Sequence, residues 1–445
     1  MGALWPTAAP MWLGAGALVL ASLLRSRVVL LNAALLAASV FAFNAHAGLS
    51  PLPPQEWEGR VQLISDPDQL PGRVVVDVAS DIGRLRMTVT GEAGAPVSQA
   101  SAGSNFDVRG SLRQLSNGHR LRSRHLRMSL SVSELSAVPG RSLWRVPVDL
   151  VRSMILRGSE ALPVKQRPVY AGFVIGDDRG SEEEVTEAFE ASGLSHLLVV
   201  SGQNVIFVVA VATPLTSRLG RRSRMLALLG ILFLFAAVTR FEPSVLRATT
   251  MAMLATVGVG IGRPIAPHLR LALAVSILVL VDPLLVHSFG FRLSVAATAG
   301  IVLFAGGVAR RLRGPHWLRQ VLSVTVCAQV AVAPLVIPVF GPMPLAALPA
   351  NVFAEPVAGI VMMWGSSLGL IAGVIGGWPA IVLQFPVRCG LWWVMAVAEY
   401  FSVLPLPRLQ LPHLTFLSMS LLLVGLVRSR RQRSDPARRR QLSGG

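Results

Sequence analysis

Apolar and polar positions divide the chain into distinct patterns. It opens with two apolar runs, about residues 8–24 and 28–46, separated by Arg25-Ser26-Arg27. These read as two short membrane helices within residues 1–48. A signal peptide ending near Ala45-His46-Ala47 is the alternative, but no basic residue precedes the first run and the whole is too long. Residues 49–145 switch to alternation, as in RVVVDVA (73–79), RLRMTVT (84–90), NFDVRGSL (105–112) and HRLRSRHLRMSL (119–130). Period two with Gly, Pro, Asn and Asp between runs predicts short strands burying one face, hence a small β-barrel or sandwich. In 146–192 the pattern turns helical. Val148, Val151 and Ile155 fall on one side with Arg152 and Arg157 elsewhere, which suits a helix lying in the membrane interface. Further on, Ser181 with Glu184 forms a capping box, Val185, Ala188 and Phe189 make an apolar stripe, and Gly193 closes the helix. Residues 193–427 are mostly apolar, with spans expected near 193–216, 224–240, 243–262, 270–289, 292–309, 319–340, 345–364, 366–385, 387–404 and 411–427. A basic tail, 428–445, follows. The fold class expected is mainly α: a polytopic helical membrane bundle with a small extracytoplasmic β domain.

Composition supports the membrane reading. Of 445 residues, 52% are hydrophobic and only 14% charged, against roughly 25% charged in a soluble domain. Mean hydropathy is +0.58. The formal net charge of +18 comes almost wholly from arginine, because Lys165 is the sole lysine. GC-rich coding explains that bias as readily as a polyanion-facing surface does, and the arginines of the strand region fit an ordinary solvated face equally well. Lys165 stands between Val164 and Gln166, so no Gly-Lys-Ser/Thr phosphate loop is present. Energy for any uphill movement then comes from a partner or an ion gradient. Cys327 and Cys389 lie far apart in apolar stretches and suggest neither a disulfide framework nor a metal cluster.

Arginine clusters set the orientation. Arg25 and Arg27, Arg218 to Arg224, Arg263 to Arg270, Arg310 to Arg319 and the tail from Arg428 to Arg440 belong in the cytoplasm. Alternation then puts 50–145 outside, and after 340 the parity fails by one, so one of the last four spans is re-entrant or merged. Arg240, Arg247 and Arg292 fall at outer helix ends, against this tendency. They either snorkel to headgroups or form an electropositive mouth above a pore, since intramembrane ionisable residues usually face a cavity. Asn351 and Glu355, one helical turn apart between Pro349 and Pro356, form a buried hydrogen-bonded pair or line that pore.

The stretch GLSHLLVVSGQNVIFVV (193–209) places polar groups at the centre of an apolar run. A helix over 193–216 would be ~36 Å long, which puts Ser201 to Asn204 well inside the bilayer. His196 and Gln203 nearly superpose on it, while Asn204 lies about 80° away. Gly202 weakens the helix, and a break there is tolerated only where it is buried in protein or lines a watery cavity. The SGQN residues therefore read as part of a conduit wall. Asp177, Asp178, Glu182, Glu183 and Glu184 offer a metal-nuclease reading. Acidic residues favouring a helix N-terminus and facing water explain them more simply.

GLSHLLVVSGQNV, PSVLRATTMA, VDPLLVHSFGFRLSVAA and ANVFAEPVAG, in this order over about 160–370, resemble the membrane core of the ComEC family of competence proteins. The β domain before them is similar in position to that family's OB-type domain. The resemblance implies a channel that passes single-stranded DNA across the cytoplasmic membrane in natural transformation. An extracytoplasmic DNA receptor would deliver DNA, a cytoplasmic ATP-driven motor or helicase would pull it, and a separate nuclease would degrade the other strand. Membrane lipids surround the chain, and a homo-oligomer is a further expectation. Many members end in a metallo-β-lactamase-like domain, whereas this sequence ends in RRQRSDPARRRQLSGG without a His-x-His-x-Asp-His cluster, so it is read as the form lacking that domain. Many relatives have Leu-His where Gln203-Asn204 stands here, which weakens the case for essential proton chemistry. No catalytic residue, metal ligand or cofactor is expected. Inward movement of DNA against a negative interior meets about 2.3 kcal/mol per elementary charge per 100 mV. An arginine-lined mouth captures phosphates in a salt-dependent way but supplies no net work. Two other classes compete: a secondary transporter of a small anion or envelope precursor, and a membrane enzyme using His196 and the 177–184 carboxylates.

Overall fold

The computed structural model describes residues 37–43, 45, 49–50, 53–115, 124–140, 143–177, 179–404 and 407–409. The first apolar run, the 411–427 span, the basic tail and Asp178 lie outside them.

Alternation along the polar region produces a closed barrel. Its strands are β1 (Gln55–Leu63), β2 (Asp68–Leu70), β3 (Arg73–Ser80), β4 (Gly83–Thr90), β5 (Asn105–Arg113) and β6 (Leu126–Val138). Pairing runs β1-β5-β6-β4-β3, and β3 returns to the end of β1 through Gln62↔Ala79 and Leu63↔Val78. The β4–β6 pair is parallel and the others antiparallel. The short β2 adds only to β3. Period two does the sorting: Leu85, Met87 and Val89 of β4 point into the core with Val76, Val108 and Leu130, while Arg84 and Arg86 stand outside. Each such fully buried side chain contributes about 1.5–3 kcal/mol. A short helical segment, Gly91–Ser98, bridges β4 and β5.

The helices are α1 (Val146–Ser159), α2 (Gln166–Ile175), α3 (Glu183–Ala191), α4 (Ser195–Leu198), α5 (Gly202–Leu215), α6 (Arg221–Val238), α7 (Pro243–Gly260), α8 (Pro267–Val281), α9 (Phe289–Arg311), α10 (His316–Phe340), α11 (Ala347–Ile375) and α12 (Gly377–Ser402). Among the described residues α9, α10, α11 and α12 are long and apolar enough to cross a membrane. The chain is thus a helical membrane bundle carrying a small β domain. Residues 37–43, from the second apolar run, are helical, and Ala38 and Ala42 pack on Val279, Leu280 and Val286 at the end of α8.

The three stretches at 345–364, 366–385 and 387–404 form two helices, with Pro356 and Pro386 inside them, a merging that the parity of the arginine clusters allowed for. A proline does not end a membrane helix where neighbours satisfy the freed carbonyl. Helix α1 does not lie free at an interface. It packs along α11, and a Cβ on Gly158 would collide with the backbone of Gly369. Arg152 shares its buried face with Val148 and Ile155. The capping box is not formed either: Glu182 is the N-cap of α3 without a side-chain bond, and the Ser181 hydroxyl finds no partner. Gly193, at φ 75, does close that helix.

Candidate functional site

The polar stretch at 195–204 does not form one helix. Helix α4 stops at Leu198, Val199 and Ser201 are extended, and α5 starts at Gly202. Ser201 caps the new helix, its hydroxyl accepting from the Gln203 amide at 3.2 Å. The break is a junction of three helices. Asn204 is buried and donates to the Phe173 carbonyl of α2 at 2.6 Å. On the α11 side, His196 Nε2 stands 3.7 Å from Glu355 Oε1. One turn further along α11, Gly359 lies against Gln203 and Phe207. Towards α7, a Cβ on Gly202 would sit 2.5 Å from Arg247 Nη2 and 3.1 Å from the Ala248 methyl, so any larger residue must push the guanidinium aside. The Val200 carbonyl of the extended link accepts from the Ser244 hydroxyl of α7 at 2.8 Å.

Arg247 is the unusual charge here. It is 7% exposed within the bundle. Its Nε donates to Ser294 Oγ at 2.8 Å and its Nη1 meets Met251 Sδ at 3.3 Å, both neutral partners. No carboxylate among the described residues pairs with it, and Nη2 is turned to the start of α5. The N-terminus of α5 favours anions, since the first N–H groups of a helix lack internal acceptors. A guanidinium beside such an end adds to the positive potential. Ser294 belongs to α9, so the site draws on α5, α7 and α9.

The other two outer arginines do not join it. Arg292 is exposed on α9, its guanidinium 5.5 Å over the Phe289 ring. Arg240 belongs to a separate ion network. Its Nη2 donates to Asp66 Oδ1 at 2.9 Å and its Nη1 lies 3.9 Å from Asp149. Arg240 and Phe241 adopt φ of 56° and 55°, a left-handed geometry that costs roughly 1–2 kcal/mol per residue. Arg152 Nη2 reaches Asp66 at 2.6 Å and Asp177 at 3.0 Å, and its Nη1 donates to the Val238 carbonyl. Arg179 grips Asp177 with two bonds of 2.6 Å. Asp66 follows β1, so this network ties the barrel to α1, α2 and α6. Burial alone would raise the Asp66 carboxyl, but Arg152, Arg240, the Ala102 amide and Arg179 together lower it to about 2. Bonding to Asp177 raises Arg179 above the usual guanidinium range.

Sequence reasoning missed Asp66 entirely and misread Asp177. Asp177 does not face water: Gly176, at φ 70, ends α2 and turns it back onto Arg152. Glu182 pairs with Lys165 at 3.0 Å. A signal for the network existed in the spacing of Val148, Arg152 and Ile155, which places the arginine on the buried face of α1. Asn351 is buried on α11, with its side-chain oxygen unpaired, and Glu355 is half-buried. A second tie joins barrel and bundle: His125 Nε2 lies 2.9 Å from Asp282, which caps the turn after α8.

Residues 173–431 match the family described as competence protein. Among curated proteins, ComE operon protein 3 of Bacillus subtilis (strain 168) is 24% identical over 250 residues, covering 56% of this chain and 32% of that protein. The chain thus matches about a third of the length of this relative. No solved structure matches.

Proposed function

From the competence protein family, to which this chain belongs, we propose that it carries DNA across the cytoplasmic membrane during natural competence, as a channel for a single strand. Arg247 carries the reading: a buried cation in the bundle, at the start of a broken helix, with no carboxylate beside it among the described residues. Burying an unpaired charge costs several kcal/mol. A polyanion passing the site supplies the missing countercharge transiently, which favours passage over permanent occupancy.

The orientation has support in the contacts. The barrel meets the helices at Arg240, after α6, and at Asp282, after α8. The arginine-rich loops at 218–224, 263–270 and 310–319 lie at the opposite helix ends. The positive-inside rule then puts the barrel outside. Its five main strands, in the order β1-β3-β4-β6-β5 around the closure and with a helical segment after the third, support an OB-type reading. The receptor, the motor and the strand-degrading nuclease belong to the same proposal, the motor because no phosphate loop surrounds Lys165.

Uptake of labelled DNA into a nuclease-protected compartment tests this, comparing wild type, a deletion and Arg247→Ala at matched protein level. Protected uptake is expected to vanish on deletion while surface binding persists. Unchanged uptake after deletion, in a strain shown to be competent, removes the DNA channel and makes transport of a small anion the leading reading.

A further inference from the structure

Between the barrel and the helices lies an open cleft of about 1100 Å³, at the upper end of the roughly 300–1000 Å³ typical of small-molecule pockets. Its barrel wall carries Val75 of β3, Arg86 of β4 and Arg124 ahead of β6, with Asp68 and Leu70 at one edge. Its helix wall carries Arg167 of α2 and Arg179 beyond it. Four guanidinium groups from two separate parts of the chain thus face one space.

Their partners leave positive charge over. Asp77 alone answers both Arg86 and Arg124, at 3.1 Å each, and the Arg124 side chain remains 58% exposed. Arg167 is held by neutral groups, its Nε donating to the Leu162 carbonyl and its Nη2 to the Glu160 carbonyl. Those bonds fix its direction without cancelling its charge. Arg179 is neutralised by Asp177 but retains donors, and among the described residues Asp68 and Asp177 are the carboxylates that line the cleft.

The location adds a second argument. In a closed barrel of this strand order, oligonucleotides lie across the second and third strands, flanked by the first connection and the last. Those strands here are β3 and β4. The first connection holds Asp68 and Leu70, and the last holds Arg124, so the cleft covers that face. Among the described residues no aromatic ring lines it, which argues against base stacking as the main source of affinity.

We propose that this cleft binds the phosphodiester backbone of a single nucleic-acid strand, gripped between Arg86 and Arg124 on the barrel and Arg167 and Arg179 on the helices. This rests on the DNA-channel reading for its ligand and places a strand upstream of Arg247. Binding is sequence-tolerant and salt-dependent, because phosphates rather than bases are held.

The test uses the purified full chain in phosphatidylcholine nanodiscs and the fluorescence anisotropy of a labelled oligothymidylate across a salt series. Arg86→Gln and Arg167→Gln are each expected to weaken binding several-fold and to reduce the salt slope by about 1. Arg167→Lys should restore much of the loss, which a folding defect would not allow. Arg60→Gln, on the exposed Arg60–Asp107 pair of β1 and β5, should leave binding unchanged. Three outcomes overturn the proposal: no binding by wild type, equal binding by both Gln variants, or displacement by inorganic phosphate as effective as by unlabelled strand. Protected uptake is measured in parallel. Uptake lost on deletion but normal in both Gln variants sinks the cleft and spares the channel. Strand binding that needs the cleft, with uptake unaffected by deletion, sinks the channel and spares the cleft.

Discussion

The barrel–helix junction and the centre of the bundle both bury arginine, and they treat it in opposite ways. At the junction Arg152, Arg179 and Arg240 share Asp66 and Asp177, through contacts of 2.6, 3.0, 2.6 and 2.9 Å. In the bundle Arg247 has a hydroxyl and a thioether. A paired cation that is buried costs little further to keep and much to break, whereas an unpaired one costs stability for as long as it is there. The first arrangement therefore holds two parts of the chain together, and the second leaves a cation open to the strand that the bundle is proposed to pass.

Removing a charge should then have opposite signs in the two places. Asp66→Asn strands Arg240 and one bond of Arg152, and is expected to cost about 3–5 kcal/mol, read as a lowered midpoint of thermal unfolding in detergent. Acid gives a milder version. The Asp66 carboxyl sits at about 2 in the folded chain against an ordinary 3.8, which corresponds to about 2 kcal/mol of stability. Its folded value is depressed, so that contribution is present above pH ~4 and disappears as pH falls through about 2. The midpoint of wild type should hold from neutral pH to pH 5 in respect of this group. A midpoint that falls between pH 7 and 5, and does so only while Asp66 is present, would break the assignment.

Arg247→Met is the counterpart. Losing one charged contact, worth about 1.5–3 kcal/mol, should lower protected uptake about tenfold or more while the unfolding midpoint stays or rises. A lowered midpoint with normal uptake would place Arg247 with the structural arginines and erase the contrast. Gly202→Ala sharpens the same point without changing charge. Its methyl would meet Arg247 Nη2 and the Ala248 methyl, an overpacking worth about 1–3 kcal/mol. Uptake should fall less than in Arg247→Met, and Gly202→Ala combined with Arg247→Met should add little, since the two act through one contact.

What the sequence made legible follows physical range. The strands at β3, β4 and β5 could be read because alternation is local, and the long helices α9 and α10 because apolar runs are. The break before Gly202 was also visible, although it falls at Val199 to Ser201, earlier than the glycine itself. The Asp66 network was not visible, because its members come from residues 66, 149, 152, 177, 179 and 240 and meet only when the barrel docks. The three outer arginines looked equivalent along the chain for the same reason. Only the fold assigns one to the barrel, one to the centre and one to the surface. Pro356 and Pro386 lie inside helices, since a local helix-breaking tendency is overridden where neighbouring helices satisfy the backbone.

His196 and Glu355 lie between these two regimes and give the smallest expected effect. Their atoms are 3.7 Å apart, and the side chains are 47% and 26% exposed, so solvent screens the pair. Such contacts contribute at most ~1 kcal/mol, and Glu355→Gln should shift the unfolding midpoint by no more than that corresponds to. Gln keeps the shape and leaves a hydrogen-bond acceptor for His196. Protected uptake should accordingly change little if Glu355 only fastens α4 to α11. A large loss of uptake at an unchanged midpoint would instead extend the functional region from Arg247 across the break to α11. The charge that matters there would then be negative, which a passing polyanion would avoid rather than seek. That result would cut the contrast between paired and unpaired charge at its boundary, because a nearly neutral contact would be doing what only Arg247 is expected to do.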